Sequence, residues 1–201
     1  PLLTRKRQEP IGSCRFVFPH RGYCRIFPQG DIHCRRAQVA HRRMITSIHN
    51  PRIKAARKLV DRKERYAAGM LLAEGVRIIG DAVQYGIQPV VVFYDPLAAE
   101  ANPAAVALLT TLEAGGTDCQ PCTPEVFATL TSTVTPQGLV AVLPLPLNLP
   151  LPAPLSFGLV LDAVRDPGNA GTLLRSAAAA GVQAVIFGPQ TVDPFNDKVL
   201  R

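Results

Sequence analysis

A chain of 201 residues with 47% apolar side chains is long enough to bury one large core or two small ones. Its formal charge of +7 is uneven, because residues 1–43 carry +8 and residues 44–201 carry −1. A transmembrane helix and a membrane partner are not expected: the longest apolar run, 138–164, is interrupted by five prolines, and no apolar stretch follows the basic start as a signal peptide requires.

Residues 1–43 scatter Arg, Pro, Gly and Cys with no sustained period, and read as a basic, disordered tail. Met44 reads as the natural start of the folded chain, with a basic RNA-binding arm as the rival reading of 1–43. Three of the five cysteines, Cys14, Cys24 and Cys34, lie in this tail. Cys119 and Cys122 form a single CxxC, which is followed by a turn instead of opening a helix. An odd count with no second CxxC argues against a disulfide framework or a four-ligand zinc site, so reduced thiols of a cytoplasmic protein are expected and no metal.

Helical spacing begins at Pro51 and runs through Ile53, Ala56, Leu59 and Val60 to about residue 67. Arg52, Lys54, Arg57, Lys58, Arg62, Lys63 and Arg65 crowd this segment against only Asp61 and Glu64. Such a cluster attracts a phosphate backbone or an anionic surface, or is simply a solvated helix face. A second helix is expected over 74–85, stopped by Gly86, then a buried strand over 89–94 and a helix over 103–114. A short strand near Cys119, a helix capped by Thr123 and running to about Leu130, and a buried strand over 138–143 follow. Prolines at 144, 146, 150, 152 and 154 make 144–156 a semi-rigid linker. Beyond it the pattern resumes with a strand from Phe157, a helix over 169–180, a strand over 182–188 and a helix start with Asp193 as N-cap and Pro194 in its first position. Strands alternating with helices imply an α/β layer structure.

The stretch LDAVRDPGNAGTLLRSAAAAG (161–181) carries the chemistry. In an open α/β sheet, ligands sit at the carboxyl ends of strands, where the loop 162–168 falls. Asn169 is placed to cap the following helix and leave its first N–H groups facing an anion. Gly171 and Arg175 are i and i+4, and helical side chains lean toward the N-terminus, so Arg175 is expected to lie back over Gly171 toward Asn169. An amide, a guanidinium and N–H groups then converge where a phosphate or ribose could be gripped. Taken separately, the same residues are a cap, a packing glycine and an exposed arginine.

The pattern Asp166-Pro167-x-Asn169-x-Gly171-x-x-x-Arg175-x-Ala177 closely resembles the first signature motif of the SpoU-type branch of the SPOUT superfamily, the RNA ribose 2′-O-methyltransferases. VDPFNDKVLR (192–201) resembles the stretch that in that family leads to an Ala-Ser-x-Gly sequence. LLAEGVRIIGDAV (71–83) resembles the Glu-Gly-x-Arg of the family's substrate-binding domain, and TPQGLVAV (135–142) the strand that closes it.

The resemblance implies an α/β protein. An RNA substrate-binding domain over 44–143, the linker, and the first part of a parallel-sheet, trefoil-knot methyltransferase domain over 157–201 would follow one another. It implies Asn169 and Arg175 as catalytic residues and Glu74 and Arg77 as substrate-binding ones, with a local structural role as the alternative for Glu74 and Arg77; Arg57 and Lys58 of the basic cluster and Gly171 beneath Arg175 are the further substrate-binding residues expected. It further implies tRNA or rRNA as partner, S-adenosylmethionine as cofactor, a homodimer and a cytoplasmic location. The family's knot and cofactor motifs would come after Arg201, so the cofactor-binding residues are unknown and the chain as given is expected to be incomplete and inactive. The alternative is a non-catalytic RNA-binding protein derived from the family, which a true stop codon after Arg201 would favour.

Overall fold

The computed structural model describes residues 43–133, 136–147 and 149–201, and the backbone of 15–17. The expectation of a disordered tail over 1–43 falls outside the described residues, apart from the short strand β1 (Arg15–Val17). The described part forms two compact units, one holding Pro146–Pro194 with β1, the other running through Leu145 and including Phe195–Arg201.

The larger unit opens with α1 (Pro51–Lys58) and α2 (Arg62–Ala68). One helix was expected here. Asp61 splits it by accepting hydrogen bonds from the amides of Lys63 and Glu64, as an N-cap does. Arg65 is buried and its Nη1 donates to the carbonyls of Leu59 and Val60, which closes the end of α1. Then come β2 (Met70–Glu74) and α3 (Val76–Gln84). The helix expected from Glu74 therefore starts two residues later, because Met70–Glu74 pairs antiparallel with a later strand, Leu71 opposite Leu143 and Ala73 opposite Ala141.

The unit continues with β3 (Val91–Tyr94), α4 (Pro96–Glu100), α5 (Pro103–Ala114), β4 (Cys119–Pro121), α6 (Pro124–Ala128) and β5 (Leu139–Pro144). Helix α4 was not expected; Asp95 caps it by accepting from the amide of Leu97, and Pro96 supplies its first turn. The sheet order is β2-β5-β3-β4, with only the β3–β4 pair parallel. Val140 and Val142 of β5 join Ile53, Ala56, Val126 and Phe127 in one apolar cluster. Leu139, Ala141 and Leu143 alternate with them and are buried as well. A strand covered on both faces needs apolar side chains at successive positions, which is why VVVFY and GLVAVL read as unbroken apolar runs.

The smaller unit contains β6 (Gly158–Leu161), α7 (Pro167–Ala179) and β7 (Ala184–Phe187) in a parallel sheet of order β1-β7-β6. Ala177 and Leu174 of α7 pack on Leu161, Val182, Val185 and Phe187. The last helix, α8 (Asp197–Leu200), is capped by Asn196 and not by Asp193. Phe195 explains the shift: its ring is buried edge-on to Tyr66 within the larger unit, centroids 6.3 Å apart, so Pro194-Phe195 does not enter the helix. Among the described residues, no helix is long and apolar enough to cross a membrane.

Gly138 marks the tightest approach in the larger unit. Its φ is +83°, and a Cβ there would lie 2.6 Å from the amide nitrogen of Ala99. Gly138→Ala is expected to destabilise the protein by more than about 2 kcal/mol, read as a lower urea midpoint; an unchanged midpoint would show that the turn relaxes freely.

Candidate functional site

Helix α7 begins two residues earlier than its sequence suggests. Asp166, not Asn169, is the N-cap, and its Oδ1 accepts the Asn169 amide at 2.7 Å. The reason is local. Pro167 has the φ of a first helical residue and lacks the N–H that would go unpaired there, so Asp166-Pro167 opens the helix and Asn169 falls inside the first turn. This changes the electrostatics of the expected site. The positive end of the helix is already met by a carboxylate, so the start of α7 is not the empty anion cradle that was expected.

The helix carries two stripes at the same 4-then-3 spacing. Ala170, Leu174 and Ala177 face the core. Gly168, Thr172 and Arg175 lie two residues, about 200°, away and face outward. Arg175 does lean toward the helix start, but over Thr172 instead of Gly171: its Nη2 donates to Thr172 Oγ1 at 3.3 Å. Gly171 is buried on the helix, and Asn169 is exposed, as is Arg175. Thr172 is the residue that sequence reasoning missed. Its signal was available as a hydroxyl at i−3 from the arginine.

Two loops at the carboxyl ends of β6 and β7 hold this helix start in place. The Leu161 carbonyl accepts both the Gly188 amide at 2.7 Å and the Thr191 hydroxyl at 3.0 Å. The Val192 amide donates to the Val164 carbonyl at 2.8 Å, and the Arg165 guanidinium donates to Gln190 Oε1. Gly188 is required by closeness, since a Cβ there would stand 3.1 Å from the Leu161 carbonyl oxygen and from Asp162 Oδ1. Ala163 and Gln190 both adopt left-handed backbone, with φ of +52° and +59°. Non-glycine residues take that conformation at a cost and cluster where the surroundings enforce it, often at functional sites.

The other expected site residues lie in the larger unit. Glu74 ends β2, and its carboxylate is occupied: Oε2 accepts the Ser132 amide at 2.8 Å, and Oε1 accepts the Thr133 hydroxyl. Gln137 closes the other side by accepting the Val76 amide at 3.0 Å through Oε1. Arg77 is exposed on α3, its side chain paired only loosely with Asp81 at 4.0 Å, an arrangement of little energetic weight. Arg57 and Lys58 are exposed in the last turn of α1, beside exposed Lys54, Arg62 and Lys63. Arg62 lies over the Tyr66 ring at 5.5 Å. Two members of the expected basic cluster are otherwise engaged, Arg52 with Asp118 and Arg65 with the end of α1. The cysteines of the CxxC are both buried, and burial pushes the Cys122 thiol up to about 11 despite the opposing effect of Arg52. A thiol so held is a core residue and not a nucleophile. Among the described residues, no group of His, Cys, Asp and Glu is arranged to hold a metal ion.

Residues 50–141 match the MRM3-like substrate binding domain, and residues 156–201 match the SpoU rRNA Methylase family. The chain is 38% identical, over 78% of its length, to the uncharacterized tRNA/rRNA methyltransferase slr1673 of Synechocystis sp., covering 57% of that protein. It is 34% identical, over 79% of its length, to the 23S rRNA (guanosine(2553)-2′-O)-methyltransferase RlmP of Bacillus subtilis, covering 60% of it. The crystal structure of the SpoU methyltransferase AviRb from Streptomyces viridochromogenes in complex with the cofactor AdoMet superposes with a TM-score of 0.66 at 30% identity, covering 76% of this chain and 58% of that one. Residues 156–201 are thus similar to the SpoU-type branch of the SPOUT methyltransferases, and residues 50–141 to a substrate-binding domain found in such proteins. The chain spans about 60% of the length of these curated relatives.

The hydrogen bonds of Glu74 define a measurable structural role. Glu74→Ala is expected to cost about 1–3 kcal/mol by leaving the Ser132 amide without its acceptor. Amide exchange at Ser132 and Thr133 should accelerate about tenfold or more. Unchanged exchange would show that the carboxylate does not hold this segment.

Proposed function

We propose that this protein is an RNA 2′-O-ribose methyltransferase acting on tRNA or rRNA, with S-adenosylmethionine as methyl donor, and that the start of α7 is the RNA-facing half of its site. The supporting observation is the combination of a helix N-terminus already filled by the Asp166 carboxylate with an exposed Arg175 leaning toward it. A carboxylate at that point disfavours a phosphate, whereas a hydroxyl can meet a guanidinium and an amide beside it. This donor set suits ribose oxygens and not a cationic sulfonium, and it is assigned to the RNA. When bound, S-adenosylmethionine supplies the methyl group as an electrophile.

Arg175 stays protonated throughout the neutral range, so it acts as a donor and not as a base. It orients the 2′-hydroxyl and stabilises the negative charge that builds on its oxygen as the new O–C bond forms and the hydroxyl proton passes to solvent water. Asn169 adds an amide that fixes the ribose, and Gly171, buried on the helix, keeps the turn beneath Arg175 closely packed. Positioning of this kind accounts for much of the acceleration available to an in-line displacement. The exposed cations Lys54, Arg57, Lys58, Arg62 and Lys63 form the surface that takes the RNA backbone, with Arg77 as a further contact. A homodimer and a cytoplasmic location complete the reading, both carried by the resemblance to the family.

In the natural full-length protein, Arg175→Ala is expected to abolish methyl transfer while leaving RNA affinity within a few-fold. Transfer that survives refutes the role of Arg175, and RNA binding without transfer by the wild type points instead to a non-catalytic RNA-binding protein. Replacing Arg57 and Lys58 together by Gln is expected to weaken RNA binding and to lower the slope of log affinity against log salt by about 1–2. Arg52→Gln should leave that slope unchanged, because Asp118 already engages its guanidinium. Equal slopes for all three proteins would mean that α1 is only solvated.

A further inference from the structure

Thr172 has one hydroxyl proton, and the structure shows where it goes: Oγ1 donates to the Gly168 carbonyl at 2.9 Å, one turn back along α7. Only lone pairs remain on that oxygen, and Arg175 Nη2 donates into them at 3.3 Å. The order Gly168 carbonyl, Thr172 hydroxyl, Arg175 guanidinium forms a relay of fixed direction along the outward stripe of the helix. An exposed arginine without such a partner samples many rotamers, and fixing it costs side-chain entropy. A β-branched residue at 172 is itself stiff about χ1, which makes it a firm post for the guanidinium.

We propose that Thr172 is a positioning residue that holds the Arg175 guanidinium, pre-aimed at the helix start where the ribose hydroxyl is received. Thr172 does not contact RNA through its proton, which is spent on Gly168. The proposal rests on the assignment of Arg175 to the ribose oxygen, and its test separates the two.

The experiment compares steady-state methyl transfer by Thr172→Val, Thr172→Ala, Thr172→Ser and Arg175→Ala in the natural full-length protein. Val keeps the shape and β-branching and removes only the hydroxyl, with its bonds to Gly168 and Arg175. Both Val and Ala are expected to lower kcat about 10- to 100-fold, as misplacement of a catalytic group does. KM for RNA and the thermal midpoint should stay close to wild type, and Ser should retain most of the activity. Wild-type kcat in Thr172→Val beside an inactive Arg175→Ala overturns the positioning role alone. A loss confined to KM also overturns it, by making Thr172 an RNA contact. An active Arg175→Ala overturns the assignment of Arg175 and the positioning role with it.

Discussion

The smaller unit depends on one carbonyl. Leu161 ends β6, and its oxygen receives both the Gly188 amide and the Thr191 hydroxyl from the end of β7. That double acceptance draws the two strand ends so close that position 188 cannot carry a side chain without a shift. Once the ends are drawn together, the chain must leave each strand steeply, and it does so through left-handed Ala163 and Gln190. The first of these exits leads straight into Asp166-Pro167 and the start of α7. The placement of Asn169, Thr172 and Arg175 is thus set by sheet closure before any ligand is considered, which is how a pre-organised site is expected to arise.

Electrostatics then narrows what the site can receive. A helix N-terminus left open attracts phosphate. Here the Asp166 carboxylate fills it, and the outward cation of α7, Arg175, is tethered to Thr172. The division of labour between the units follows. Among the described residues, exposed cations crowd α1 and α2, and in the proposed function this face takes the RNA backbone and gains from counterion release. Helix α7 carries a single arginine, Arg175, and in the proposed function it meets a neutral hydroxyl that becomes negative only during reaction.

Much of this was legible in the sequence because the relevant signals are local. The buried strands announced themselves as short β-branched runs, α5 was bounded by Pro103 and Gly115, and the lean of Arg175 follows from the direction of every helical side chain. What was not legible depended on competition between local signals or on partners distant in the chain. Asp166 and Asn169 are both good caps, and the intervening Pro167 decided between them. Asp193-Pro194 has the same form as Asp166-Pro167 yet opens no helix, because burial of Phe195 outweighs it. Glu74 looked like a helix start because its true partners, Ser132 and Thr133, lie 58 and 59 residues away. The basic cluster read as seven equal charges until Asp118 and the end of α1 claimed two of them.

The central claim is that the α7 site presents a ribose 2′-oxygen to the methyl donor. It is tested most directly by the identity of the methylated product. RNA incubated with the natural protein and isotope-labelled S-adenosylmethionine can be digested to nucleosides and resolved by mass spectrometry. The account predicts label on the ribose, as a 2′-O-methyl nucleoside. Label confined to the bases would contradict it.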